Sequence, residues 1–145
     1  MKITNNIFEN KKPTLNPMWV TGFTDAEGSF IISISKRPGT NNLLFRASFE
    51  IGLSTKDLAI LNEIRDFFKV GQITERKTKY TTSYTVSQIN TLKDVIIPHF
   101  KQYPLQTQKR IDFEIWTQIV NLIAEKEHLS ESGQIKIISL KSGLN

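Results

Sequence analysis

Hydrophobic and polar positions change period several times along the chain, and each change marks an element. Asn16 before Pro17 offers a side-chain cap followed by a residue suited to the first helical turn, which predicts a helix over about residues 17–26. From Ser29 to Arg37 ("SFIISISKR") the period falls to two. Phe30, Ile32 and Ile34 lie on one face, with Ile31, Ser33, Ser35 and Arg37 on the other. After the turn cluster "PGTNN", the run "LLFRASFEIGL" alternates again, with Phe45, Ala47, Phe49, Ile51 and Leu53 opposite Leu44, Arg46, Ser48, Glu50 and Gly52. Two paired, half-buried strands are predicted.

The spacing then returns to helical. "STKDLAILNEIRDFFKVG" opens on a Ser-x-x-Asp cap pattern at Ser54 and Asp57, carries Leu58, Leu61, Ile64 and Phe68 at helical intervals, and ends at Gly71. A second hairpin follows in "QITERKTKYTTSYTVSQ". Ile73, Tyr84 and Val86 are its inward positions, and Gln72, Thr74, Arg76, Ser83, Thr85 and Ser87 its outward ones. "NTLKDVIIPHF" reads as helical until Pro98, and Ile111, Ile115, Ile119, Leu122 and Ile123 form an apolar stripe on a longer helix. A last short helix follows Ser130. The order predicts an α+β fold with helices covering one face of an antiparallel sheet. Residues 1–15, polar and with Pro13, are expected to form a flexible N-terminal arm, and residues 16–145 a single domain.

Composition narrows the chemistry. The absence of cysteine excludes disulfides, thiolate zinc sites and a cysteine nucleophile, and two histidines leave little for metal clusters. No stretch approaches the 18 or more apolar residues of a membrane span, so no membrane association is expected. A net charge of +5 suits a polyanionic partner. The polar face of the sheet, taken alone, reads as the solvated side of an antiparallel sheet. Its turns, however, carry "SKRPG" and "ERKTKY". Short polar side chains and arginines flanked by positive charge fit a β-ribbon in a DNA groove, with Lys36, Arg37, Lys77 and Lys79 on phosphates.

The stretch "WVTGFTDAEGSF" poses a separate question, because Asp25 and Glu27 fall at the end of the first helix. Carboxylates there oppose the partial negative charge of the free carbonyls by roughly 0.3–1 kcal/mol each. A hard divalent cation would relieve the clash and serve phosphodiester cleavage. The two acids lie about 200° apart around a helix, so only one is expected as principal ligand, and Glu27, beside Gly28, is better placed. Gly22 and Ala26, with Thr21 beside them, form a small-residue face that would admit a second helix, either from within the chain or from another copy. Cutting both strands of a duplex needs two such sites, which a two-fold dimer supplies.

"VTGFTDAEG" resembles the LAGLIDADG motif of homing endonucleases, in the form found in fungal organellar intron-encoded members. The resemblance continues through "FEIGLSTKD", "FKVG", "YPLQTQKR" and "IKIISLKSGLN". It implies an αββαββα fold with a saddle-shaped sheet on double-stranded DNA, and Mg²⁺, or Mn²⁺ or Ca²⁺ in its place, held by Glu27 and assisted by the Gly28 carbonyl. It also implies motif helices packed at a two-fold axis through Thr21, Gly22 and Ala26. The DNA-facing positions it implies coincide with the outward faces already named. Lys109 looks like the family's basic residue near the cleavage centre, giving Glu27 and Lys109 as catalytic candidates; a surface lysine at a helix start is the alternative. Glu50 departs from the glutamine of many members. The implied activity is site-specific double-strand cleavage with short 3′ overhangs by a homodimer in a mitochondrion or other organelle. An intron-RNA-binding splicing cofactor and a DNA-binding module without nuclease activity are the alternatives. "LKSGLN" resembles the start of the interdomain linker of two-motif relatives, so the chain is expected to be either a single-motif protein or half of a longer one.

Overall fold

The computed structural model describes residues 14–144, so most of the expected N-terminal arm, residues 1–13, lies outside the described residues. Helix α1 (Pro17–Glu27) is followed by β1 (Gly28–Lys36) and β2 (Leu43–Ser54), a short 3₁₀ turn (Thr55–Asp57), and α2 (Leu58–Phe68). Then come β3 (Gln72–Arg76) and β4 (Thr81–Val86). The helix α3 is built of three continuous pieces, Ile89–Thr91, a π-helical Leu92–Ile96, and Ile97–Gln102. Helix α4 (Lys109–Ala124), a 3₁₀ turn (Glu127–Leu129) and α5 (Glu131–Lys141) complete the described chain. The strands form one antiparallel sheet in the order β1-β2-β4-β3.

Local chemistry explains the boundaries. The Asn16 side chain accepts from the Met18 N–H to start α1, and the Ser130 hydroxyl accepts from the Gly133 N–H to start α5. At the end of α2 the left-handed cap falls on Lys69 (φ 63°), two residues before the predicted stop. Gly71 (φ 92°) instead turns the chain tightly beneath Tyr84, whose ring carbon would lie 2.6 Å from a Cβ there. The Tyr84 hydroxyl donates to the Val70 carbonyl and fixes this corner.

Two expectations are corrected. The helix predicted to stop at Pro98 continues to Gln102. Proline lacks an N–H and its ring crowds the preceding turn. The π-helical segment, closed by the Ile97 N–H on the Leu92 carbonyl, widens that turn directly ahead of it. The apolar stripe of α4 is also rotated. Phe113, Trp116, Thr117, Ile119, Val120 and Ile123 are buried, whereas Ile111 is 47% exposed.

The core lies between the sheet's Phe/Ile/Val face and the helices. Phe30 is at its centre, with ring centroids 5.3 Å from Phe49, 5.5 Å from Phe100, 5.2 Å from Phe113 and 5.0 Å from Trp116. Trp116 also donates its indole N–H to the Ile31 carbonyl, satisfying an acceptor on the edge strand β1. Leu15, at the boundary of the predicted arm, packs partly buried against this core. With the helices on one side, the opposite sheet face is left uncovered.

Candidate functional site

Strand register arranges the uncovered face into rows. Ser29, Glu50, Thr85 and Gln72 are successive partners across all four strands, and Gly52, Ser83 and Thr74 form the next row. On the outer hairpin Ile31 pairs with Ser48, Ser33 with Arg46 and Ser35 with Leu44. Arg76 pairs with Thr81 at the far end, and Ser87 follows β4 directly. Ser33, Ser35, Arg46, Gly52, Gln72, Thr74, Arg76 and Ser87 are exposed, whereas Ile31, Leu44, Ser48, Glu50, Ser83 and Thr85 are half-buried within the face. Lys36, Arg37, Lys77 and Lys79 are exposed at the strand ends and turns. Among the described residues none of these cations, nor Arg46 or Arg76, is held in an ion pair.

Tyr80 belongs beside them although periodicity did not single it out. It is 76% exposed at the basic turn and adopts a left-handed backbone (φ 53°), a conformation that favours glycine or asparagine. An aromatic residue between basic and polar turn positions was the available signal.

The end of α1 separates the two acids. Glu27 is exposed, and its carboxylate has no hydrogen-bond or ion-pair partner among the described residues. Asp25 turns away toward the start of α4, accepting from the backbone N–H of Gln106 (3.0 Å), the backbone N–H of Thr107 (3.2 Å) and the Thr107 hydroxyl (2.8 Å). Its charge therefore faces N–H donors rather than carbonyls. The carbonyls receive a cation instead: Lys109 Nζ donates to the Thr24 oxygen at 3.1 Å and to the Asp25 oxygen at 3.0 Å. Gly28 is required by space, since a Cβ would lie 2.5 Å from Thr24 Cγ2. Its N–H closes the helix on the Thr24 carbonyl.

The remaining face of α1 is apolar and uncovered. Met18 is 48% and Trp19 41% exposed, and Gly22 and Ala26 are exposed on the same side. A Cβ at Gly22 would meet nothing within 4 Å. Trp19 stacks on Phe23 with ring centroids 5.0 Å apart. Thr21 does not belong to it, contrary to expectation. It is 1% exposed; its hydroxyl donates to the Tyr103 carbonyl (2.8 Å) and lies 3.1 Å from His99 Nε2. Because the single hydroxyl proton goes to the carbonyl, His99 must donate through Nε2. A burial-driven fall in pKa to about 4 keeps that imidazole neutral.

The donor set at the helix end fits a magnesium-type ion that shares its ligands with water and substrate. It offers one unpaired carboxylate at Glu27 and a glycine backbone at Gly28, and no group of three or more His, Cys, Asp or Glu among the described residues forms a self-sufficient cage. Two nearby carbonyls, of Thr24 and Asp25, are already occupied by Lys109.

Comparison with known proteins places this geometry in context. A sequence model described as LAGLIDADG endonuclease matches residues 20–120. The Neurospora crassa protein named "Probable intron-encoded endonuclease 2" is 40% identical over 136 residues, a match covering 90% of this chain and 29% of that protein. The chain thus spans less than a third of that relative. Among solved structures, the LAGLIDADG meganuclease I-CpaMI bound to uncleaved DNA superposes with a TM-score of 0.85 at 36% identity, over 90% of this chain and 44% of that one. The homing endonuclease I-TnaI superposes with a TM-score of 0.84 at 28% identity, over 92% and 90% of the two chains.

Proposed function

The chain belongs to the LAGLIDADG endonuclease family, and from that premise we propose that it is a site-specific, magnesium-dependent double-stranded DNA endonuclease acting as a two-fold pair of domains. The observation that carries this reading is the pairing of an uncovered polar sheet, rimmed by unpaired cations, with an unpartnered carboxylate at Glu27. Lys36, Arg37, Lys77 and Lys79 bind phosphates and set the register of the duplex, while Arg46, Arg76, Gln72 and the serines and threonines of the strands face base edges. Glu50, paired with Thr85 in mid-sheet, accepts from cytosine amino groups.

Glu27, with the Gly28 carbonyl, would hold the cation. When bound there, magnesium supplies Lewis-acid stabilisation of the phosphodiester and activation of the attacking water. Lys109 offsets the negative charge gathered at the helix end. The stripe of Met18, Trp19, Gly22 and Ala26 supports docking of a second motif helix, provided by another copy of the chain. Two Glu27 carboxylates would then address the two strands, giving a staggered break with short 3′ overhangs. The intron-encoded naming of its relative supports an intron-borne gene, and an organellar setting rests on the resemblance to fungal organellar members.

The test separates binding from chemistry. Glu27→Gln is expected to keep duplex affinity within about threefold while lowering the single-turnover cleavage rate by at least about 100-fold. Retained cleavage would remove Glu27 from the site, and lost binding would make its role structural.

A further inference from the structure

Lysine side chains at a helix start are ordinarily loose, because a flexible four-carbon stem carries a strongly hydrated ammonium. Lys109 is held at both ends. Its backbone N–H donates to the Thr107 hydroxyl at 3.2 Å, and its ammonium donates to the Thr24 and Asp25 carbonyls. The Thr107 hydroxyl in turn donates to Asp25 Oδ1, and the second carboxylate oxygen accepts from Gln106 N–H. Asp25 thus lies at both ends of one closed circuit: its carboxylate fixes the base of the Lys109 stem, and its carbonyl receives the tip.

We propose that Asp25, acting through Thr107, is the positioning residue that presets the Lys109 ammonium for the scissile phosphate, an inference that rests on the nuclease reading above. An ammonium has three donors, and two are assigned to carbonyls. The third serves a phosphate oxygen without release of the other two. Positive charge is therefore in place at the end of α1, on the Thr24 and Asp25 carbonyls, before DNA arrives, and no reorganisation is needed at the moment of reaction. The three bonds to the Asp25 carboxylate also account for its absence from the cation's ligands: coordination would strip the start of α4 of its acceptor.

The experiment pairs a double-mutant cycle with a measurement that does not depend on cleavage. Thr107→Val is nearly isosteric at an exposed position and removes only the hydroxyl link, and Thr107→Ser restores it. Asp25→Asn keeps the side-chain size. In the Lys109-containing protein, Asp25→Asn and Thr107→Val are each expected to lower single-turnover cleavage about 10- to 100-fold with duplex affinity unchanged, and Thr107→Ser to recover most of the rate. In a Lys109→Ala background the same substitutions should change the rate by less than about twofold. Side-chain NMR of the 145-residue chain should show the Lys109 ammonium restrained in the parent and in Thr107→Ser, but as mobile as the surface lysines in Asp25→Asn and Thr107→Val. Equal losses with and without Lys109, or an ammonium that stays restrained in Asp25→Asn, would overturn the proposal. If the parent chain cuts no duplex yet Asp25→Asn still frees Lys109, the nuclease reading falls and the positioning of Lys109 by Asp25 stands.

Discussion

At Gly28 the chain leaves α1 for β1 with no room for a side chain, a Cβ there lying 2.5 Å from Thr24 Cγ2 and 3.0 Å from the Thr24 carbonyl oxygen. Gly28→Ala should therefore destabilise the fold by about 1–3 kcal/mol through overpacking, read as a lower urea midpoint at unchanged slope. His99 makes stability depend on pH. Folding lowers its pKa from 6.5 to about 4 by burial, so the unfolded chain binds the extra proton between those values. The contribution of His99 is complete above pH 6.5 and declines as pH falls toward 4. Urea midpoints measured at pH 7.5 and pH 4.5 should fall more in the parent than in His99→Gln; equal falls would remove His99 as the cause. The place of Glu27 at the end of α1 was legible in the sequence, because a helix end beside a glycine is a local feature. The roles of Asp25 and Thr21 were not, because their partners lie 82 residues or so along the chain, at Thr107 and Tyr103.

Among elements, the strands were the most legible. Their inward and outward sets follow directly from period-two alternation, and the observed register keeps each set on one face. Helices covering the sheet were harder to orient. On α4 the isoleucines at helical spacing suggested a stripe, but the aromatic rings of Phe113 and Trp116, which fill more of the space around Phe30, decide which side is buried. Pro98 misled for a similar reason, since tertiary packing of the buried Ile96, Ile97 and Phe100 sustains a helix that local rules would end. The exposed face of α1 gives a test at this scale. Gly22→Leu places a side chain into open space within the monomer and replaces a poor helix former, so thermal stability should hold or rise by about 0.5–1 kcal/mol. The same side chain would block close helix approach, and light scattering should report a shift from dimer to monomer. An unchanged dimer would place the two-fold interface elsewhere.

For the whole molecule, the polar sheet, the cationic turns and the acidic end of α1 fit the proposed arrangement, in which a duplex would lie on the sheet and the helix end would meet its backbone. The fold was legible because alternation, caps and the motif agreed; the interlocking of α1 with α4 was not, because it joins segments that only the tertiary structure brings together. On that proposal, sequence preference would come from the rows of short polar side chains and from the deformability of the bound DNA. The most direct measurement is therefore recovery of cut molecules from a randomised duplex library incubated with the chain, with and without magnesium, alongside Glu27→Gln. The account predicts one enriched, near-palindromic site, cut on both strands with short 3′ overhangs, only with magnesium and only by the parent protein. Duplexes that bind the parent specifically but are never cut at any magnesium concentration would contradict it.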